Sequence, residues 1–148
     1  MKLLVLNGPN LNMLGIREKH IYGNRTYADL ENCIREKARA MGVDVEIYQS
    51  NSEGALVDKI QAAYQQADGI VINPAAYTHT SIAILDALKA VDLPAAEVHL
   101  SDISQREPFR QISYAGMACQ GHFIGMGFDG YLRAMDFVRD EIARRQAQ

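Results

Sequence analysis

The sequence predicts an α/β fold in which helices cover both faces of a five-stranded parallel sheet. Two observations carry that prediction. Short apolar runs alternate with longer stretches of helical spacing about five times along the chain. Two of those runs, residues 3–6 and Gly69-Ile70-Val71-Ile72, are continuously apolar, as strands buried on both faces are. The 148 residues hold no repeat, low-complexity segment or linker, so one domain over 1–148 around one core is expected.

The elements follow in order. After the first strand, Thr26 opens a helix with Asp29 three residues on, an acidic variant of the capping box. Tyr27, Leu30, Ile34, Ala38 and Met41 repeat at helical spacing, and Gly42 ends the helix. Val43, Val45 and Ile47 then alternate with Asp44 and Glu46, which marks a strand at a sheet edge or with one wet face. A helix is expected over 53–66 and the buried strand over 69–72. Ile82, Leu85, Leu88 and Val91 stripe another helix. An alanine-rich strand is read over 94–98 and the last strand over 120–124. Met135, Val138 and Ile142 stripe the closing helix. With the alternating second strand at an edge and the first inside, the order becomes 2-1-3-4-5, the flavodoxin-like three-layer sandwich.

Composition excludes several function classes. A net charge of −3 and a pI near 5.8 give no general attraction to nucleic acid or an anionic membrane. Two cysteines, Cys33 and Cys119, do not make a disulfide framework and are expected to be buried thiols. The apolar run behind Lys2 stops at Asn7-Gly8-Pro9, too short for a secretory core, and no run is long enough to span a bilayer. The protein is expected to be cytoplasmic. No two of His20, His79, His99 and His122 share a helix face at ligand spacing, so no metal is expected. Gly125-Met126-Gly127-Phe128-Asp129-Gly130 matches the dinucleotide fingerprint, but only one helix follows and no second strand completes the unit. These glycines are read as a tight turn into the last helix. Ser81 and Ser101 lack a nucleophile-elbow context.

Open parallel sheets bind ligands beyond the carboxyl ends of their strands. Three loops at those ends gather amides, hydroxyls, histidines and arginines: NGPNLN with the polar stretch behind it, NPAAYTHTS, and EVHLSDISQREPFR. In the first, Arg17 and Tyr22 lie five residues apart, between Gly15 and Gly23. A nearby guanidinium favours phenolate over phenol and does not compete for the proton. The pair suggests a tyrosine base on a lid at about 14–25; the plain alternative is a packing tyrosine and a solvated arginine. In the third, Glu97 and His99 are two apart on a strand and point the same way. The carboxylate can fix the imidazole tautomer and raise its proton affinity, which suits a general acid. A surface ion pair is the competing reading. Asn12 and Asn73 can orient water or donate to an enolate oxygen. Thr78-His79-Thr80-Ser81 combines a helix cap with hydroxyl donors. Arg106 and Arg110 either reach a polar substrate or Tyr22, or decorate the surface.

The strings LNGPNLNMLGIRE, IYG, QSNSEG, INPAAYTHTS, EVHLSDISQREPFR and GFDGY resemble the type II dehydroquinases, in order and along nearly the whole chain. The resemblance implies dehydration of 3-dehydroquinate to 3-dehydroshikimate in the shikimate pathway, with no metal, cofactor or Schiff base. It implies Tyr22 as base, Arg17 as its activator and His99, oriented by Glu97, as acid. Asn12 with a water would stabilise the enolate. Asn73 and the backbone amides of Leu100 and Ser101 would hold the substrate carboxylate. His79 and Arg110 would hold ring hydroxyls, and Arg106 would support Tyr22. Asp86 would reach a neighbouring subunit's site in a dodecamer of trimers. Three departures stand out: Ala75 in place of glycine, Ser52 in place of histidine, and Lys19-His20 in the lid. A flavodoxin-like binding module without catalysis remains the alternative. A receiver domain would need acidic residues after the first strand, where Asn7-Gly8-Pro9-Asn10 stands, and a flavin module a Ser/Thr-Gly-rich phosphate loop there.

Overall fold

The computed structural model describes residues 1–16 and 19–148, with the side chains of residues 21 and 22 outside the description. Five strands form one parallel sheet in the order β2-β1-β3-β4-β5: β1 (Lys2–Asn7), β2 (Asp44–Gln49), β3 (Gly69–Asn73), β4 (Ala95–His99) and β5 (Gly121–Ile124). The helices are α1 (Lys19–Tyr22), α2 (Tyr27–Met41), α3 (Glu53–Ala62), α4 (Ile82–Val91) and α5 (Phe128–Gln146). The expected order and the edge position of the alternating strand both hold.

Side chains of a strand alternate between faces, and here they build a core on each side. Leu3, Val5, Val71 and Val98 pack with Leu30 and Ile34 of α2 and with Met135 and Val138 of α5. Leu4, Leu6, Ile70 and Ile72 pack with Leu56 and Ile60 of α3 and with Ile84 and Leu88 of α4. The chain therefore has two apolar layers rather than the single core expected. Each layer buries large aliphatic side chains on both sheet and helix. Burial of each such side chain is worth about 1.5–3 kcal/mol.

The helix ends follow the sequence closely. Thr26 Oγ1 accepts from the Asp29 amide at 3.1 Å, and Asp29 Oδ2 accepts from the Thr26 amide at 2.9 Å. Gly42 closes α2 at φ 70°, where a side chain would be strained. Ser81 caps α4 by accepting from the Ile84 amide at 3.0 Å. Three expectations change. α3 stops at Ala62 rather than 66, because the turn behind it takes Gln65 to φ 60°, which a right-handed helix cannot contain. Ile82 is 56 % exposed and leaves the α4 stripe, where Ile84 takes the buried place instead. Cys119 is buried, but Cys33 is half-buried, its Sγ accepting from the Arg25 guanidinium at 3.2 Å. The last glycines do form the expected turn, Gly125 at φ 77° and Gly127 at φ 58°, leading into α5.

Candidate active site

A cleft of about 100 Å³ opens at the carboxyl ends of β1, β3 and β4. Pro9, Asn10 and Leu11 line it from the loop after β1. Asn73, Ala75, Ala76 and His79 line it from the end of β3 and the turn beyond. His99, Leu100, Ser101, Ile103, Arg106 and Arg110 line it from the end of β4 and its loop. Seven of the residues expected to act thus meet in one place.

His99 ends β4 and is 5 % exposed. Its Nε2 lies 3.1 Å from Glu97 Oε2, so alternation along the strand has brought the two side chains together as expected, buried rather than on the surface. Ser113 Oγ donates to the same carboxylate oxygen at 2.6 Å, and His122 Nδ1 meets Oε1 at 2.7 Å. Burial alone would push the Glu97 carboxyl up. The hydrogen bonds from His99 and Ser113, the charge of His99 and the hydrogen bond from His122 outweigh it and hold the group down at about 2. Glu97 is therefore a carboxylate and accepts from all three donors. With Nε2–H committed to Glu97, Nδ1 is the ring nitrogen of His99 that turns away from it. Ser113, His122 and Gly116 were not foreseen in the sequence. A Cβ at Gly116 would overlap the Glu97 carboxylate, so only glycine lets the backbone approach it there.

His79 is held by its Nδ1, which donates to the Ile112 carbonyl at 2.8 Å. Burial lowers its proton affinity, and although the bond to Ile112 works the other way, the nearby His99, Arg110 and Arg106 add to the lowering. A neutral ring that donates through Nδ1 presents Nε2 as an acceptor, suited to a hydroxyl hydrogen.

Asn73 is 3 % exposed and held on both sides of its amide. Its Nδ2 donates to Tyr131 Oη at 2.9 Å and its Oδ1 accepts from the Ala75 amide at 3.1 Å. Tyr131 in turn donates to Asn7 Oδ1 at 2.7 Å, and Asn7 Nδ2 donates to Tyr27 Oη at 3.2 Å. Asn7 and Asn73 are register partners on β1 and β3, so one buried tyrosine fixes the polar ends of both strands. Burial raises the Tyr131 phenol far enough to keep it neutral. Tyr131 stands in the GFDGY string, but the sequence offered no signal that it reaches Asn73.

Arg110 Nε donates to Glu107 Oε2 at 2.6 Å, and Arg106 Nε lies 3.9 Å from the same oxygen. Both guanidinium groups line the cleft and are largely shielded from water, with side-chain exposures of 23 % and 12 %. They make the cleft locally attractive to an anion although the chain is acidic overall.

Other expected residues stand apart from the cleft lining. Asn12 is exposed in the short turn after β1, its Oδ1 3.4 Å from Gln49 Nε2. Asp86 is exposed on α4. Arg17 lies outside the described residues; Tyr22 ends the four-residue helix α1, which the expected lid loop contains, and its side chain also lies outside the description. Cys119 is inert: burial, with the charge of Glu97, pushes its thiol up to about 12.

The family model for "Dehydroquinase class II" matches residues 1–139. The chain belongs to the class II dehydroquinase family. It is 49 % identical over 144 residues to the 3-dehydroquinate dehydratase of Clostridium acetobutylicum, covering 97 % of this chain and 100 % of the relative. It is 54 % identical over 142 residues to that of Lachnospira eligens, covering 95 % and 97 %. The crystal structure of the type II dehydroquinase from Butyrivibrio crossotus superposes with a TM-score of 0.92 at 54 % identity, over 94 % of this chain and 97 % of that one. In this member of the family, Ala75 adopts φ 53°, a conformation that favours glycine, which gives a reason for the glycine it replaces. Ser52, a second departure, caps α3 by accepting from the Ala55 amide at 3.2 Å.

Proposed function

We propose that this chain dehydrates 3-dehydroquinate to 3-dehydroshikimate in the shikimate pathway, through an enolate and without metal, cofactor or Schiff base. Tyr22, as phenolate beside Arg17, takes the proton from the carbon next to the ketone. The electron pair left behind forms the enolate, whose oxygen is met by Asn12 through a water. As the enolate collapses, the carbon–oxygen bond to the leaving hydroxyl breaks and His99 gives that oxygen a proton, so water departs and a conjugated enone remains. His99 then keeps its Nε2 proton on Glu97 and regains the other from solvent, while Tyr22 returns its proton to solvent. Asn73 and the Leu100 and Ser101 amides hold the substrate carboxylate, His79 accepts from a ring hydroxyl, and Arg110 donates to one. Arg106 supports the charge on Tyr22.

The observation that carries this reading is the buried Glu97–His99 pair at the rim of a cleft lined by two guanidinium groups, in a chain that matches the class II family over residues 1–139. An acid held by a carboxylate beside an anion-attracting cleft is what expulsion of hydroxide from a carboxylated ring requires. We read the working form as a cytoplasmic homo-oligomer, a dodecamer of trimers, in which Asp86 completes a neighbouring copy's site. Its exposed place on α4, apart from the cleft lining of its own chain, supports that reading.

The test is spectroscopic. Added to 3-dehydroquinate, the protein should generate the ultraviolet absorbance of the conjugated enone, at the same rate with and without a chelator. No absorbance change would refute the reading, and activity lost to chelator and restored by a divalent metal would refute its metal-free chemistry.

A further inference from the structure

Glu97 carries two histidines, and the reaction just described uses only one. β4 and β5 pair so that Glu97 and His122 are register partners. Neighbours in register leave the sheet on the same face, which is why His122 Nδ1 reaches Glu97 Oε1 at 2.7 Å. The other oxygen receives His99 at 3.1 Å and Ser113 at 2.6 Å. Gly116 packs its backbone against the carboxylate and closes that side. The Glu97 side chain is 3 % exposed and the His122 side chain 46 %.

We propose that His122 is a positioning residue: by holding Oε1 across the β4–β5 register, it fixes the plane of the carboxylate whose other oxygen orients His99. The inference rests on the role given to His99 under Proposed function. The terminal torsion of a glutamate is soft and nearly two-fold, so burial alone does not set it. Three donors on two oxygens do. Without His122, Oε1 loses the one side-chain donor that the described residues give it; water entering at the half-exposed site can bond it but does not fix the plane of the carboxylate, which is then free to turn. The Nε2–H bond of His99 then loosens, and with it the preference for that tautomer.

The experiment records imidazole nitrogen spectra of His99 in the full chain labelled with ¹⁵N-histidine, at a pH where the ring is neutral, beside kcat and KM for enone formation. The unsubstituted protein should hold the His99 proton on Nε2. His122→Val should mix the two tautomers and lower kcat about tenfold with KM within about twofold, since misplacement of a reacting group costs rate rather than binding. His122→Ala, which adds no branched side chain to β5, should repeat this. His122→Asn, which returns an N–H near the place of Nδ1, should restore the single tautomer and most of kcat. An unchanged His99 tautomer in His122→Val and His122→Ala overturns the inference, as does an unchanged kcat in both. His99→Ala keeps the two readings separate: near-normal turnover there removes His99 from the reaction, whereas an unchanged tautomer in the valine variant removes only His122.

Discussion

Glu97 shows how one buried residue ties stability to pH. Its carboxyl is held at about 2 in the folded chain against an ordinary 4.5, a difference worth about 3 kcal/mol. Because the folded value is the lower one, that contribution is complete above about 4.5 and is lost as pH falls toward about 2. Urea unfolding of the unsubstituted chain and Glu97→Gln should therefore show a stability difference that shrinks by about 3 kcal/mol through this window; a constant difference would contradict it. At this scale the sequence was legible where partners are close along the chain. Glu97 and His99 are two apart on one strand, and alternation alone predicts their meeting. His122 is 25 positions from Glu97, and their contact depends on the β4–β5 register, which hydrophobic periodicity does not carry. Ser113 and Gly116 reach the carboxylate from an irregular segment, whose path has no period to read.

Among the elements, punctuation was the reliable signal. Thr26 with Asp29 and Gly42 act as read, and the cap read in Thr78-His79-Thr80-Ser81 falls to Ser81, because a cap satisfies amides or carbonyls that the helix itself leaves unpaired. The end of α3 was missed because no glycine or proline marks it; Gln65 makes the left-handed turn without the residue that usually announces one. Ala75 is a similar case, at φ 53° in the turn behind β3. A left-handed alanine costs about 1–2 kcal/mol, and glycine would give back about 0.5–1 kcal/mol as unfolded-state entropy. Ala75→Gly should therefore stabilise the chain by about 0.5–1 kcal/mol, read as a higher urea midpoint at unchanged slope. A lower midpoint would mean that the methyl group contributes more to packing than the strain costs.

The whole molecule places its chemistry by topology. Two apolar layers hold a five-stranded sheet, and the ends of three strands supply the cleft. The fold was legible because continuous apolar strands and striped helices leave few ways to stack, and the order 2-1-3-4-5 follows from which strand alternates. The cleft was legible because polar loops sat at one end of the sheet. The lid was read from two residues, Arg17 and Tyr22, whose side chains lie outside the described structure, and the proton-abstraction step depends on them. The most direct test is therefore the rate of enone formation by Tyr22→Phe, which removes one hydroxyl and little volume. Turnover should fall by at least about 10³-fold with an unchanged circular dichroism spectrum. Turnover within a few-fold of the unsubstituted protein would contradict proton abstraction by Tyr22.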